Sequence, residues 1–229
     1  SGYTTVILTT VFNTYFVGVV AGKAEWATLA WTAALSLSSL VVMLTMPTLG
    51  AYADLRAAKK RLLALTTAGC VLSTAALAAA GPGDLALAVV AVVLSNIFFA
   101  YGESLIAAFL PELARREALG KVSGWGWSFG YFGGMLTLSL SLAYVLTAQA
   151  RGETAAQFVP VTMLITAAVY GVASLATFAL LKERAQPQPG AMQAEGLAAS
   201  WRRLRQTLHD ARRYRDSAWL LACAAAYQP

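Results

Sequence analysis

The chain has 229 residues, of which 58% are hydrophobic and 12% are charged, with a mean hydropathy of +0.61. In soluble domains about a quarter of the residues are charged, so this composition excludes an ordinary water-soluble domain and indicates a membrane protein. The net charge of +6 does not predict nucleic-acid binding, because the basic residues are concentrated in a few connections between apolar runs.

The apolar runs predict helices that cross a membrane. A hydrocarbon core of about 30 Å needs about 20 apolar residues in a helix, and five runs reach that length. A sixth run at 3–20 predicts a first span that lacks its opening turn, and residues 217–229 predict the start of a seventh span. Backbone groups in lipid have no water to bind, so each run must be helical. The fold class is therefore an all-α, polytopic membrane helical bundle, with full-length spans at 27–49, 62–80, 85–110, 122–148 and 158–181.

This pattern divides the chain into a six-helix bundle (1–181), a linker (182–216) and the start of a seventh helix (217–229). Apolar residues in the linker recur at steps of four, three and four, with arginines on the other faces. This predicts a basic amphipathic helix at about 196–215 that lies on the anionic inner leaflet. The alternative is a solvated connector with a short packed helix. The apolar positions are Leu197, Trp201, Leu204 and Leu208.

The basic residues indicate how the spans are oriented. The connections at 50–61, 111–121 and 182–216 are rich in lysine and arginine, whereas the opposite connections hold only Lys23 and Arg151. The positive-inside rule places basic connections in the cytoplasm. We therefore expect a multi-pass protein of a bacterial inner membrane, with the basic connections and the linker facing the cytoplasm.

Six spans, a long basic linker and the start of another span resemble the first half of a major facilitator superfamily transporter. The stretch PTLGAYADLRAAKKR at 47–61 resembles the signature loop of that superfamily, in which a glycine, three residues and an aspartate precede basic residues. The resemblance implies a conformational latch in which the aspartate engages the start of a helix in the second half. Leu55 stands where a basic residue is usual and Ala57 where a glycine is usual, and an ordinary basic loop is the alternative. The implied latch residues are Gly50, Asp54, Arg56, Lys59 and Lys60.

A second stretch is more specific. AFLPELARREALGKVSGWGWSFGYFGG at 108–134, together with SGYTTVILTTVF at 1–12, resembles the vacuolar amino-acid effluxer branch of the superfamily and its uncharacterised bacterial relatives. The resemblance covers the chain as the N-terminal half of such a protein. It implies a small solute, amino acids in eukaryotic relatives, with the bilayer and a second six-helix half as partners and no cofactor.

Glycines form one face of the fifth span. Gly126, Gly130 and Gly134 recur every four residues and give the helix a smooth side. In lipid, small residues let helix backbones approach each other closely. The spacing predicts a helix-packing face, which either slides against a partner helix during transport or packs statically.

Two polar residues interrupt the fourth span. Asn96 and Glu103 are seven residues apart and therefore share one helical face. A carboxylate that faces lipid costs about 2.5–3.5 kcal/mol, so we expect this face to look into a cavity or onto a partner. Glu103 is a candidate proton-coupling or cation-binding acid; the alternative is a structural carboxylate that pairs with the second half or caps a helix. Since helices one, four and seven line the superfamily's cavity, the resemblance adds Asn13, Tyr15, Tyr227 and Gln228.

We therefore predict secondary active transport of a small solute by alternating access, with proton coupling through Glu103 as a further hypothesis. A non-transporting sensor or scaffold with the same fold is the alternative. A membrane enzyme is disfavoured, because the spans hold one deep carboxylate and no histidine. We expect no metal centre, because the single histidine, His209, lies in the linker.

Overall fold

A computed structural model gives the architecture of the chain. It describes residues 7–22, 24–113 and 116–181, together with the single residues 202, 205, 206, 219 and 223. The described residues form six helices joined by short connections. They are α1 Ile7–Val20, α2 Ala27–Leu55, α3 Lys59–Ala76, α4 Leu85–Leu113, α5 Leu119–Ala150 and α6 Ala155–Leu180, with 3-10 turns at Leu77–Ala79 and Arg116–Ala118.

Five of these helices, α2 to α6, are long and apolar enough to cross a membrane. The prediction of an all-α, polytopic bundle is confirmed. α1 is shorter, and its described part begins at Ile7. The linker at 182–216 and the seventh span at 217–229 lie outside the described residues, apart from the five single positions.

The helices extend beyond the apolar runs. α2 continues through Gly50 and Asp54 to Leu55, and α4 continues through Pro111 to Leu113. Charged residues can occupy these last turns because the ends of a membrane helix reach the polar headgroup region. Gly50 therefore lies inside a helix, and a Cβ placed on it would meet no described atom within 4 Å.

The bundle has two ends, which we name by their charge. The basic end carries the α2–α3 and α4–α5 connections, and the opposite end carries the α1–α2, α3–α4 and α5–α6 connections. A buried apolar cluster lies near the basic end, formed by Ala53, Leu63, Leu105, Phe109 and Leu181. It holds the ends of α2, α4 and α6 against the start of α3.

A larger apolar cluster lies towards the opposite end. The rings of Phe12 and Phe16 in α1 lie 6.2 Å and 5.5 Å from the ring of Trp31 in α2. Leu77, Val92 and Met163 join them, so this cluster links α1 to four other helical segments. It buries the described part of α1 on several sides.

Two hydrogen bonds also attach α1 to the α3–α4 connection. The buried Tyr15 hydroxyl donates to the carbonyl of Ala80 at 3.0 Å. The Gly83 amide donates to the carbonyl of Val20 at 3.0 Å. Because Tyr15 is 3% exposed, its side chain belongs to the packing of α1 against this connection.

α3 and α4 approach each other closely near the middle of the bundle. A Cβ placed on Gly69 would lie 2.7 Å from ring atoms of Phe98. One turn further towards the opposite end, the hydroxyls of Thr74 and Ser95 share a buried hydrogen bond of 2.9 Å. The glycine therefore sets the distance between these two helices.

Candidate functional site

The α2–α3 connection is a tight turn with an alanine in the left-handed conformation. Ala57 has a φ of 48°. The Ala58 amide donates to the carbonyl of Ala53, and the Arg56 amide donates to that of Tyr52. A backbone bond that spans six residues in this way, around a residue with positive φ, is the Schellman ending of a helix, where glycine is usual. The turn forms although alanine replaces that glycine.

This turn brings the charged residues of the basic end together. Lys59 Nζ lies 2.8 Å from Asp54 Oδ1 and 2.8 Å from Glu112 Oε1. One lysine thus bridges a carboxylate at the end of α2 and a carboxylate at the end of α4. Lys60 Nζ donates to the carbonyl of Leu181 at 2.6 Å, which attaches the end of α6. We call Asp54, Lys59 and Glu112 the charged gate.

The two carboxylates of the charged gate differ in exposure. The side chain of Asp54 is 61% exposed, whereas those of Glu112 and Lys59 are 17% and 11% exposed. Glu112 Oε2 is buried and has no hydrogen-bond partner among the described residues. A buried carboxylate oxygen without a donor is costly, so this atom is a candidate acceptor for a further donor.

Arg56, the remaining latch candidate, lies outside the charged gate. Its guanidinium carbon lies 4.9 Å from the centre of the Tyr52 ring. The structure therefore brings Asp54 and Lys59 together, attaches Lys60 to α6, and leaves Arg56 on the surface. Sequence reasoning missed Glu112, which was quoted only within the stretch 108–134. The available signal was an acidic residue in the last turn of a span, at the same end of the bundle as Lys59.

The polar face of α4 is used differently at its two ends. The Asn96 side-chain amide donates to the Ser38 hydroxyl at 2.6 Å, and Ser38 is fully buried in α2. Further along, the Tyr101 and Thr45 hydroxyls share a hydrogen bond between the same helices. Asn96 therefore helps to hold α4 against α2.

Glu103 is exposed. Among the described residues, no lysine or arginine makes an ion pair with it. Tyr170 of α6 is close enough to interact electrostatically with its carboxylate. The neighbouring Gly102 faces the hydroxyls of Thr66 and Tyr170. The carboxylate thus lies beside a hydroxyl-bearing corner of α3 and α6.

Glu103 lies on the same side of α4 as Val92 and as Asn96, which contacts α2. Val92 packs in the apolar cluster that contains Phe12 and Phe16 of α1. Glu103 follows Val92 by 11 residues, which is close to three helical turns and returns to the same side. This side of α4 is therefore buried in the apolar cluster at Val92 and exposed at Glu103.

Among the described residues, no hydrogen bond joins Glu103 to the other candidates for a central site, Asn13 and Tyr15. Asn13 is partly buried in α1. It falls in a short α-helical stretch between two π-helical segments, Ile7–Phe12 and Phe16–Val20. Tyr15 is occupied by its contact with Ala80. Tyr227 and Gln228 lie outside the described residues.

The glycine face of α5 is covered at one end and open at the other. Gly134 is buried, but a Cβ placed on Gly126 or Gly130 would meet no described atom within 4 Å. Aromatic pairs border this open part on both sides. Trp125 stacks on Phe129 and Trp127 contacts Tyr131, with ring centres 5.8 Å and 6.2 Å apart.

A groove of about 480 Å³ runs along the outer side of α2. Sequence reasoning gave no weight to the serines and threonines of this helix, because the family resemblance pointed to helices one, four and seven for the cavity. The groove gathers three of them on one face at helical spacing. Its lining residues are Thr32, Leu35, Ser36, Ser39, Leu40 and Met43.

Comparisons with known proteins agree with this architecture. A family model described as vacuole effluxer Atg22 like matches residues 15–225. The uncharacterized MFS-type transporter YxiO of Bacillus subtilis (strain 168) is 28% identical over 228 residues, covering 94% of this chain and 51% of that protein. The chain therefore spans about half the length of this curated relative. No solved structure is significantly similar to the chain.

The family match and the bundle of membrane helices lead to the same assignment. The match covers all six described helices except the first part of α1. The relative is itself named as an MFS-type transporter. The chain belongs to the Atg22-like vacuole effluxer family of major facilitator transporters.

Proposed function

We propose that the chain is the N-terminal half of a secondary transporter that moves a small solute, of the amino-acid class, by alternating access. The observation that carries the proposal is Glu103, an exposed carboxylate on the side of α4 that joins the apolar cluster nearer the opposite end. A carboxylate in a membrane helix faces water or a partner. Alternating access needs a polar site near the middle of the membrane between two halves, and this face fits that need.

Proton coupling through Glu103 is part of the proposal. A carboxylate that moves between a hydrated and a closed environment binds a proton more tightly when closed, because burial disfavours its charged form. The Tyr170 hydroxyl lies near enough to interact electrostatically with this carboxylate, and a hydroxyl can donate to a carboxylate or accept from a carboxylic acid. Binding and release of one proton per cycle would then follow from the change of environment.

The charged gate serves as the latch in this proposal. Lys59 joins the ends of α2 and α4, and Lys60 joins α3 to the end of α6. These contacts hold four helix ends of this half as one unit. Glu112 Oε2, which has no partner among the described residues, is the proposed acceptor for a donor from the second half when the basic end is closed.

The open glycine face of α5 is the proposed packing face for the second half. Gly126 and Gly130 have free space around them, whereas Gly134 is buried. In the whole protein, Gly130→Leu is expected to abolish uptake by blocking close helix approach. Leu142→Ala, on an exposed side of the same helix, is the control and should retain uptake; equal uptake by Gly130→Leu and wild type would contradict this packing face.

The basic end is proposed to face the cytoplasm of a bacterial cell, with the protein in the inner membrane. Arg56, Lys59, Lys60 and Arg61 lie at this end, whereas Arg151 is paired with Glu153 at the opposite end. Single cysteines at 58 and 118 should be labelled from the cytoplasmic side, and one at 152 from the other side. Labelling of 58 and 118 from different sides would overturn this orientation.

The transport proposal is tested with the whole protein, including its second half, reconstituted in liposomes. Uptake of a mixture of labelled neutral L-amino acids should exceed that of protein-free liposomes and should increase under a pH gradient. Liposomes with Glu25→Gln, an exposed acid at the opposite end, serve as the control for loss of one carboxylate. Uptake no greater than in protein-free liposomes would reject amino acids as the solute class.

A further inference from the structure

The groove on α2 presents hydroxyls that the packing of the bundle does not use. Ser38, buried in the same helix, accepts the hydrogen bond from Asn96. Ser36 and Ser39 are exposed and line the groove. Thr32, one turn away, donates to the carbonyl of Thr28 at 2.9 Å, which leaves its oxygen lone pairs available. The three groove hydroxyls therefore form a stripe directed away from α4.

A backbone acceptor adds to this stripe. Pro47 lies inside α2, four residues after Met43, which lines the groove. Proline has no amide hydrogen, so it cannot donate to the Met43 carbonyl as an ordinary helical residue would. One of the six lining residues, Met43, thus has a carbonyl that lacks its usual helical donor, and none of the six is charged.

The groove and the helix that bears Glu103 both adjoin the apolar cluster that contains α1. Leu35 lines the groove and packs against this cluster. Val92 belongs to the same cluster and shares a side of α4 with Glu103. The groove and the Glu103-bearing side of α4 therefore both reach this cluster.

We propose that the groove formed by Thr32, Ser36, Ser39 and Met43 is a wall of the solute pathway that accepts hydrogen bonds from the amine of the solute. The inference rests on the proposed function and adds the chemistry of recognition to it. Uncharged oxygen acceptors suit an ammonium or amino group, and hydroxyls can also donate to a carboxylate. The competing explanation is that the same small hydroxyl residues pack against another membrane helix.

Thiol accessibility distinguishes a water-filled pathway from a packed or lipid-covered face. The whole protein carries Cys70→Ala and Cys223→Ala, and then Ser36→Cys or Ser39→Cys. Leu37→Cys and Leu44→Cys are the controls, because both leucines are exposed on α2 but do not line the groove. Membrane-impermeant methanethiosulfonate reagents are applied to both faces of membrane fragments, after each variant is shown to purify as a single folded species.

The thiols at 36 and 39 should react at least about tenfold faster than those at 37 and 44, because only a hydrated thiol ionises readily to the reactive thiolate. A mixture of neutral L-amino acids should slow these reactions. Reaction as slow as in the controls would overturn the proposal in favour of helix packing. Fast reaction that the amino acids leave unchanged would overturn solute recognition at this wall.

A kinetic measurement checks the same wall by another route. Ser36→Ala and Ser39→Ala should each raise the KM for uptake about fivefold, the ratio expected for one net hydrogen bond, with kcat unchanged. An unchanged KM in the double variant would contradict the proposal. If the wild-type protein takes up no amino acid, the proposed function fails separately, while thiol access at 36 and 39 still decides whether the groove lines a water-filled path.

Discussion

Ala57 is the strained residue of the tight α2–α3 connection. It ends α2 in the left-handed region, with a φ of 48°, where a Cβ is unfavourable by about 1–2 kcal/mol. The surrounding hydrogen bonds from Ala58 and Arg56 keep the turn in place. The turn matters for the charged gate because it sets Lys59 opposite Asp54.

Ala57→Gly is expected to stabilise the protein by about 0.5–1 kcal/mol, the strain relieved less the added freedom of the unfolded chain. Ala51→Gly, in the interior of α2, should instead destabilise by about the same amount. Reversible unfolding in mixed micelles measures both changes. A loss of stability in both variants would show that Ala57 is not strained.

The charged gate contains two carboxylates that should differ in their contribution. Glu112→Gln is expected to lower the free energy of unfolding by about 2–3 kcal/mol, because it leaves the buried Lys59 with a weaker partner. Asp54→Asn should cost less than about 1 kcal/mol, because Asp54 is mostly exposed.

The same unfolding titration, with Glu153→Gln as an exposed ion-pair control, ranks the gate variants. Glu153 pairs with Arg151 in a surface connection, so its loss should have little effect. A larger effect of Asp54→Asn than of Glu112→Gln would contradict the burial of the gate described above.

At the scale of the helices, the close approach of α3 and α4 depends on Gly69. Gly69→Ala would place a methyl group 2.7 Å from the ring of Phe98, and such overpacking costs about 1–3 kcal/mol. Gly126→Ala meets no described atom within 4 Å and should preserve the stability of this half. Equal unfolding midpoints for the two variants would show that α3 and α4 can separate without cost.

The positions of the helices could be predicted from the sequence better than their contacts. Apolar runs locate the spans because lipid leaves the backbone no alternative to the helix. The pairing of Lys59 with Glu112 joins residues 53 apart, and no local periodicity encodes it. For the same reason the role of Tyr15 was missed: its partner Ala80 lies 65 residues away.

The candidate site was predicted only in part. The seven-residue spacing correctly put Asn96 and Glu103 on one helix face, but only the structure shows that Asn96 is used by Ser38 whereas Glu103 remains exposed. The hydroxyl groove was overlooked because the family resemblance directed attention to helices one, four and seven. Its significance comes from the common face of Thr32, Ser36 and Ser39 and from Leu35, which joins the groove to the α1 cluster.

At the scale of the whole molecule, the described helices are proposed to form one of the two halves that move against each other during transport. Contacts at the basic end join α2, α3, α4 and α6, and the α1 cluster joins the helices nearer the opposite end. A half that is tied at both ends can rock as a unit against a second half, as alternating access requires. Glu103 and the groove serines are exposed in this half, so a second half could cover and uncover them in such a motion.

Solute-driven proton movement is the measurement that tests this account most directly. Liposomes that contain the whole protein and an entrapped pH dye receive neutral L-amino acids in the absence of any pH gradient. We expect a change of internal pH with wild type and with Glu25→Gln, and no change with Glu103→Gln although the solute still exchanges across the membrane. A pH change of equal size with Glu103→Gln would contradict the role of this carboxylate.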